Sequence, residues 1–233
     1  MSLMDHLNEL RSRLIKSIVA ILLTFLILLP FSNFFYEVLS LPLRSLLPNQ
    51  STMIATEVTT TFLAPFKLIF YLSIFISFPF LLFQLWKFIS PGLHNRERKL
   101  AIPLFLSSNI LFYLGVLIAY KFVLPVILDF FIGFSPKSVL PMTDINSYLS
   151  FCLQLFLVFG CVFEIPVLVI ILILMNIISV EYLKQKRKHI IVGCFFISMF
   201  ITPPDILSMA VLAIIMWVLF EIGLYISIIF KKI

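Results

Sequence analysis

Four carboxylates stand out in a chain that carries only 11 acidic residues among 233. Glu9 and Glu97 sit in polar stretches otherwise rich in arginine and lysine, whereas Glu164 and Glu221 interrupt long apolar runs. An arginine-bearing ligand would need carboxylates such as Glu9 and Glu97, because a planar guanidinium pairs best with a bidentate carboxylate. The plainer readings are a solvated face of an interfacial helix for Glu9 and a stop-transfer charge cluster, Arg96, Glu97, Arg98 and Lys99, for Glu97. Glu164 lies deep in its run, where an ionisable group costs on the order of 3 kcal/mol, so it should face the bundle interior, pair, or be protonated. It is either a neutral acid hydrogen-bonded to a neighbouring helix or part of a polar patch for a partner helix or translocating segment. Gln154, ten residues earlier and close to three helical turns away, extends the same polar face. Glu221 carries the same two readings, packing or snorkelling against function, and with Glu164 it would be the proton site of a proton-coupled small-solute transporter, though two isolated acids make a thin relay. Asp205, after Thr202, Pro203 and Pro204, is placed to cap a helix.

No enzyme signature accompanies these groups. The three histidines, His6, His94 and His189, lie on different polar segments, with no glycine-rich phosphate loop and no serine or cysteine nucleophile pattern beside them. No catalytic residue, metal site or cofactor is expected. Cys152, Cys161 and Cys194 fall inside apolar runs without metal-ligand spacing, and read as buried packing residues rather than a disulfide framework.

The elements that must hold these residues are membrane helices. With 62% hydrophobic and 12% charged side chains and 27 phenylalanines, the chain is neither a water-soluble domain, which carries about 25% charge, nor disordered. Apolar stretches fall at about 15–36, 66–89, 101–132, 147–178, 189–201 and 206–230, too continuous for barrel strands. The expected fold is an all-α membrane protein, one polytopic domain over 1–233 with six transmembrane helices. The first run has a polar, mixed-charge lead and no small-residue cleavage pattern, and reads as a retained span. The fifth run, with the tandem prolines closing it, is short for a bilayer, and Pro30, Pro65, Pro79, Pro103, Pro125 and Pro166 are each expected to kink or begin a helix.

Six spans put thirteen of the 17 bases on the side of the two termini: Arg11, Arg13, Lys16, Lys87, Arg96, Arg98, Lys99, Lys184, Lys186, Arg187, Lys188, Lys231 and Lys232. Only Arg44, Lys67, Lys121 and Lys137 remain for the other side, so the positive-inside bias places both ends in the cytoplasm or its equivalent. The net charge of +6 is thereby a topology signal, and nucleic acid is not expected as a partner.

The ordered motif blocks resemble the TatC family, the polytopic subunit of the Sec-independent, twin-arginine protein translocase. They are His6, Leu7, Glu9, Leu10, Arg11, Arg13 and Leu14; Met53 to Glu57; Phe88 to Leu93 with Arg96, Glu97 and Arg98; Phe159, Gly160, Phe163, Glu164 and Pro166; Thr202 to Asp205 with Ser208; and Phe220, Glu221 and Ile222. The resemblance implies a six-helix, N-in and C-in, concave, glove-like bundle with short helices 5 and 6. It implies a receptor for twin-arginine signal peptides and the core scaffold of a proton-gradient-driven translocase that exports folded proteins.

Carried over by position, Glu9, Glu97, Phe88 and Arg98 are the signal-peptide surface, and Glu164 is the membrane-embedded polar site, with Gln154 and Glu221 as further candidates. Glu57, Pro203, Pro204 and Asp205 belong to outer-side assembly or turns. Gly92 and Met209 depart from the family's common alanine and glutamine, the second removing a polar contact near the outer end of span six. The implied partners are twin-arginine precursor proteins, single-span proteins of the TatA and TatB type and the lipid bilayer, in an oligomeric complex. Enrichment in Phe, Ile, Leu and Lys fits an AT-rich genome and favours a plastid thylakoid membrane over a bacterial inner membrane.

Overall fold

The structure, a computed structural model, describes residues 3–46, 54–55, 58–89, 101–133, 144–202 and 205–232. Apart from short turns and one bridge between Ile54 and Asp144, these residues are helical. In order they form α1 (Leu3–Leu28), α2 (Ser32–Leu46), α3 (Val58–Ile89), α4 (Ala101–Ile118), α5 (Leu124–Gly133), α6 (Ile145–Val162), α7 (Ile165–Leu174), α8 (Val180–Gln185), α9 (Arg187–Ile201) and α10 (Ile206–Lys232). Five stretches are long and apolar enough to cross a membrane: Leu7–Ser40, Phe62–Ile89, Ile102–Phe131, Ile145–Leu174 and Ile206–Ile229. The run expected as a fifth span is α9, whose 15 residues reach about 22 Å, short of the roughly 30 Å of a hydrocarbon core.

Proline and asparagine explain where the long runs break. A helical proline has no N–H and its ring crowds the carbonyl four residues back. Ahead of Pro125 the chain widens into a π turn, Ala119–Val123, in which Leu124 N–H reaches back to the Ala119 carbonyl. Pro30 sits in a 3-10 turn, Leu29–Phe31, that separates α1 from α2. Pro65 and Pro79, by contrast, are absorbed inside an unbroken α3. The run at 147–178 ends early because Asn176 takes a left-handed conformation, φ 54°, after α7. Asn176 N–H bonds the Ile173 carbonyl and Ile177 N–H the Leu172 carbonyl, the Schellman arrangement with asparagine in the glycine position. Ser179 then caps α8 by accepting from Tyr182 N–H at 3.2 Å.

The chain divides into two compact units, residues 1–84 with 118–157, and residues 85–117 with 158–233. The core of the first gathers Leu68, Ile69, Leu124, Ile127, Leu149 and Leu153. Tyr148 is tied into it by its hydroxyl, which donates to the Leu39 carbonyl at 3.0 Å. The core of the second holds Phe112, Phe159, Leu212 and Leu224, with a cluster of Val169, Ile173, Val180, Leu183, Phe220 and Leu224 joining α7, α8 and α10. Large apolar side chains such as Leu26, Ile27, Ile110 and Phe196 point outward. That distribution suits lipid-facing helices, for which the outside need not be polar. Cys152 and Cys194 are buried as expected, but Cys161 is exposed on α6, so the reading of three buried packing cysteines holds for two of them.

Candidate functional site

In the first unit, Glu9 and Arg13 lie one turn apart on α1, the spacing at which helical side chains meet. Arg13 Nε donates to Glu9 Oε1 at 3.0 Å, and Nη2 donates to the same oxygen. Arg13 Nη1 also reaches Gln84 Oε1 on α3 at 3.5 Å. Both side chains of the ion pair are partly buried, with 18% of Arg13 and 22% of Glu9 exposed, so the carboxylate keeps access to water. Oε2 of Glu9 takes no bond from a described residue. Glu9 therefore already holds a guanidinium, with one oxygen to spare. Phe88, near the end of α3, is partly buried in the second unit. Glu97 and Arg98 lie outside the described residues, as do Glu57, Pro203 and Pro204.

Glu164 stands in the second unit, at the joint between α6 and α7. Pro166 cannot donate to the Val162 carbonyl, so α6 closes with Phe163 N–H on the Phe159 carbonyl and Glu164 N–H on the Cys161 carbonyl, and α7 restarts with Leu168 N–H on the Glu164 carbonyl. Glycines let the flanking helices come close. A Cβ on Gly115 would stand 2.6 Å from the Phe159 carbonyl oxygen, and one on Gly160 2.5 Å from the Phe112 ring. On the other flank, a Cβ on Gly223 would meet Pro166 Cα at 2.7 Å. Small residues at such crossings are how membrane helices pack tightly. Ser108, Phe112 and Gly115 share one face of α4 by their spacing of four and three. The approach fixed by the glycines brings the buried Ser108 hydroxyl onto Glu164, where it donates to Oε2. Oε1 is buried and has no hydrogen-bond partner among the described residues.

Glu221, on α10 of the same unit, accepts from Arg187 Nη2 at the start of α9 at 2.7 Å. The sequence left it as a packing or proton-handling acid; the structure gives it a permanent countercharge, since arginine stays protonated. Asp205 does cap α10, its Oδ1 accepting from Ser208 N–H at 2.7 Å. Gln154 is exposed on α6 in the first unit. Within the block Met53 to Glu57, Ile54 is described, and its carbonyl accepts from Ile145 N–H at 2.9 Å. That ties Ile54 to the start of α6.

Several residues of these sites were not singled out from the sequence. Asp144 caps α6 through Ser147 N–H at 2.9 Å, a signal present in the run Asp144, Ile145, Asn146, Ser147. Lys67, counted only as an outer-side base, donates to Ser150 Oγ at 2.5 Å. Ser108 was passed over although Ser107, Ser108 and Asn109 interrupt an apolar run, because such a polar triplet does not say which helix it will face. Among the described residues no group of three His, Cys, Asp or Glu side chains comes together to hold a metal ion.

Residues 5–214 match the family described as Sec-independent protein translocase protein (TatC). The chain is 48% identical over 225 residues to the Sec-independent protein translocase protein TatC of Azotobacter chroococcum mcd 1, covering 97% of this chain and 88% of the relative. It is 46% identical to that of Escherichia coli (strain K12), covering 97% and 87%. Its fold is similar to a crystal structure of the twin-arginine translocase receptor TatC, with a TM-score of 0.85 and 35% identity over 96% of this chain and 98% of that one.

Proposed function

The chain belongs to the TatC family of Sec-independent protein translocase proteins, a multi-pass membrane family that is not enzymatic, and from that premise we propose how its residues carry out the work. It is the receptor for twin-arginine signal peptides and the core scaffold of a translocase that moves folded proteins across a membrane using the proton gradient. Glu9 and Glu97 accept the arginine pair of the signal, and Phe88 and Arg98 complete that surface. The observation that carries this reading is that Glu9 already binds a guanidinium, that of Arg13, through one oxygen while the other takes no bond from a described residue. An incoming signal arginine would exchange with Arg13 on a group whose geometry suits it.

Glu164 forms the membrane-embedded polar and partner site, with Gln154 and Glu221 as further candidates for it. Asp205, with Glu57, Pro203 and Pro204, serves the outer side in assembly. The partners are precursor proteins and TatA- and TatB-type single-span proteins in an oligomeric complex. Six spans, with the short α9 among them, place both ends on the cytoplasmic side, as the thirteen bases on that side favour. The relatives named above are bacterial, which weighs toward a bacterial inner membrane rather than a thylakoid. The small-solute transporter reading gains no support: the relatives are translocase proteins, and Glu221, one of its two proton sites, is ion-paired to Arg187.

The test is crosslinking of a twin-arginine precursor to membranes carrying the protein with Glu9→Gln or Glu97→Gln. Arginine-dependent binding should fall sharply in each. Binding that is unchanged in both variants overturns the assignment.

A further inference from the structure

We infer that Ser108 is a positioning residue for the membrane-embedded site: its hydroxyl holds one oxygen of Glu164 so that the other, Oε1, is presented to a hydrogen-bond donor of a partner helix. The inference rests on the reading of Glu164 as a partner site and adds to it the residue that aims the carboxyl and the chemistry of the group it receives.

Three observations carry it. First, Ser108 Oγ donates to Glu164 Oε2, and it is the one hydrogen-bond donor to that carboxyl among the described residues. Ser108 is only 1% exposed, so its hydroxyl has no water to turn to. Second, Glu164 sits at a joint whose backbone is fixed from two sides, by Gly115 and Gly160 between α4 and α6 and by Gly223 against Pro166. The carboxyl therefore has little freedom to reorient without losing the serine. Third, Glu164 Oε1 is buried and without a partner among the described residues. A buried carboxyl oxygen left unpaired costs about 1–3 kcal/mol, and more if the group is charged. A half-satisfied acid of this kind is a poor structural element, since a fully paired or an apolar substitute would be more stable. It is a good receiving group: a hydroxyl, amide or cationic donor from another helix would complete it in a medium that offers no competing water.

The serine matters because of direction. Without it, both oxygens are equivalent and the side chain can turn either toward any available helix backbone. With it, one oxygen is occupied and the remaining one points where the joint puts it. Loss of the hydroxyl should then act only through Glu164, while threonine, which keeps an oxygen and a proton at the same place, should retain the function.

The experiment compares export of a twin-arginine precursor by membranes carrying wild type, Ser108→Ala, Ser108→Thr, Glu164→Ala and the double variant Ser108→Ala with Glu164→Ala, with the amount of protein in the membrane measured for each. A photocrosslinker placed at the exposed Leu168 reports capture of the single-span partner. The expected result is that S108A lowers partner capture and export about tenfold, the loss of one hydrogen bond to an acid. S108T should restore most of it, and S108A should add nothing in the E164A background. In the purified protein, the carboxyl stretching band assigned by its loss in Glu164→Gln should shift in S108A and stay in S108T, a change that a purely structural role for the serine would not produce.

If S108A leaves capture unchanged while E164A abolishes it, or if its loss is as large with Glu164 absent as with it present, the positioning role is overturned and the partner-site reading stands. If E164A itself leaves capture and export intact, it is the reading of Glu164 that fails. Should S108A not accumulate in the membrane, the band position in S108T and the capture it supports decide: a shifted band with lost capture counts against the inference.

Discussion

Glu9 and Glu164 are both glutamates of a membrane protein, and each is held by one neighbour, yet by opposite means. Glu9 is bound by a charged arginine one turn away on its own helix, in a place where water reaches it. Glu164 is bound by a neutral serine from a different helix, 56 positions away in the chain, in a place that depends on three glycines. The first pair lies within one helix, α1, with Arg13 also reaching Gln84 on α3, and is open enough to water to exchange one guanidinium for another. The second exists only once α4, α6, α7 and α10 have packed, and offers no free exchange because Ser108 and Glu164 Oε1 are buried. Charge and spacing set the one; close packing sets the other. A receptor surface that must release its ligand suits the first, and a contact that must be specific inside lipid suits the second.

The largest effect should come from breaking the packing. Gly115→Ala would press a methyl group against the Phe159 backbone carbonyl, which cannot rotate away as a side chain could. Overpacking of this kind costs about 1–3 kcal/mol. For a chain of this size that corresponds to roughly 2–4 °C of thermal midpoint per kcal/mol. Gly193→Ala, where nothing stands within 4 Å of the added carbon, should be neutral or slightly stabilising, since alanine is favoured over glycine in a helix by about 0.5–1 kcal/mol. Thermal unfolding of the two variants in detergent checks this, and equal midpoints would remove the glycines as the reason Ser108 meets Glu164.

A middle case sharpens the contrast. Glu221 has a charged partner, like Glu9, but one supplied by another helix, like Glu164. Its pair with Arg187 is partly exposed, with 40% of the arginine and 18% of the glutamate side chain accessible, so its contribution is set at about 1 kcal/mol, between an open surface pair and a buried one. Arg187→Gln and Glu221→Gln should each lower the thermal midpoint by a few degrees. The exchanged pair, Arg187→Glu with Glu221→Arg, should recover part of the loss. No recovery would mean that the two residues are held by packing and that their charges are incidental.

The same contrast accounts for what could be read in the sequence. The helical class, the five long spans, the cap at Asp205 and the breaks at Pro125 and Pro166 follow from composition and from backbone chemistry that acts over a few residues. The suspicion that fell on Glu164 for its cost was of the same kind, and the Glu9 and Arg13 pair could have been found that way, since a spacing of four places them together on any helix. The partners of Glu164 and Glu221 were not legible. Ser108 and Arg187 meet them through tertiary packing, and nothing near those serine or arginine positions marks the helix they face. The end of α7 was missed because asparagine served where glycine is the usual signal, and a continuing apolar run concealed the turn. Cys161 was read as buried because in a lipid-facing helix apolar surroundings in the sequence do not distinguish the inside from the outside.

The smallest effect should be seen at the site that charge alone sets. Arg13→Gln frees Glu9 of its resident guanidinium. A partly exposed pair one turn apart on a helix is worth about 0.5–1 kcal/mol, so a signal peptide that must displace Arg13 should bind the variant about two- to fivefold tighter at low salt. At molar salt, where the screening length falls to about 3 Å, the advantage should shrink toward none, as should the arginine dependence of binding itself. Peptide affinity measured for wild type and R13Q across a salt series checks both. If R13Q instead weakens binding as much as Glu9→Gln does, Arg13 is a member of the recognition surface and not a stand-in for the ligand, and the exchange model for Glu9 is wrong. Partner capture at Glu164 should be unmoved by salt over the same range, because neither its serine nor its packing is screened. That difference in salt response separates the two kinds of acid without altering either one.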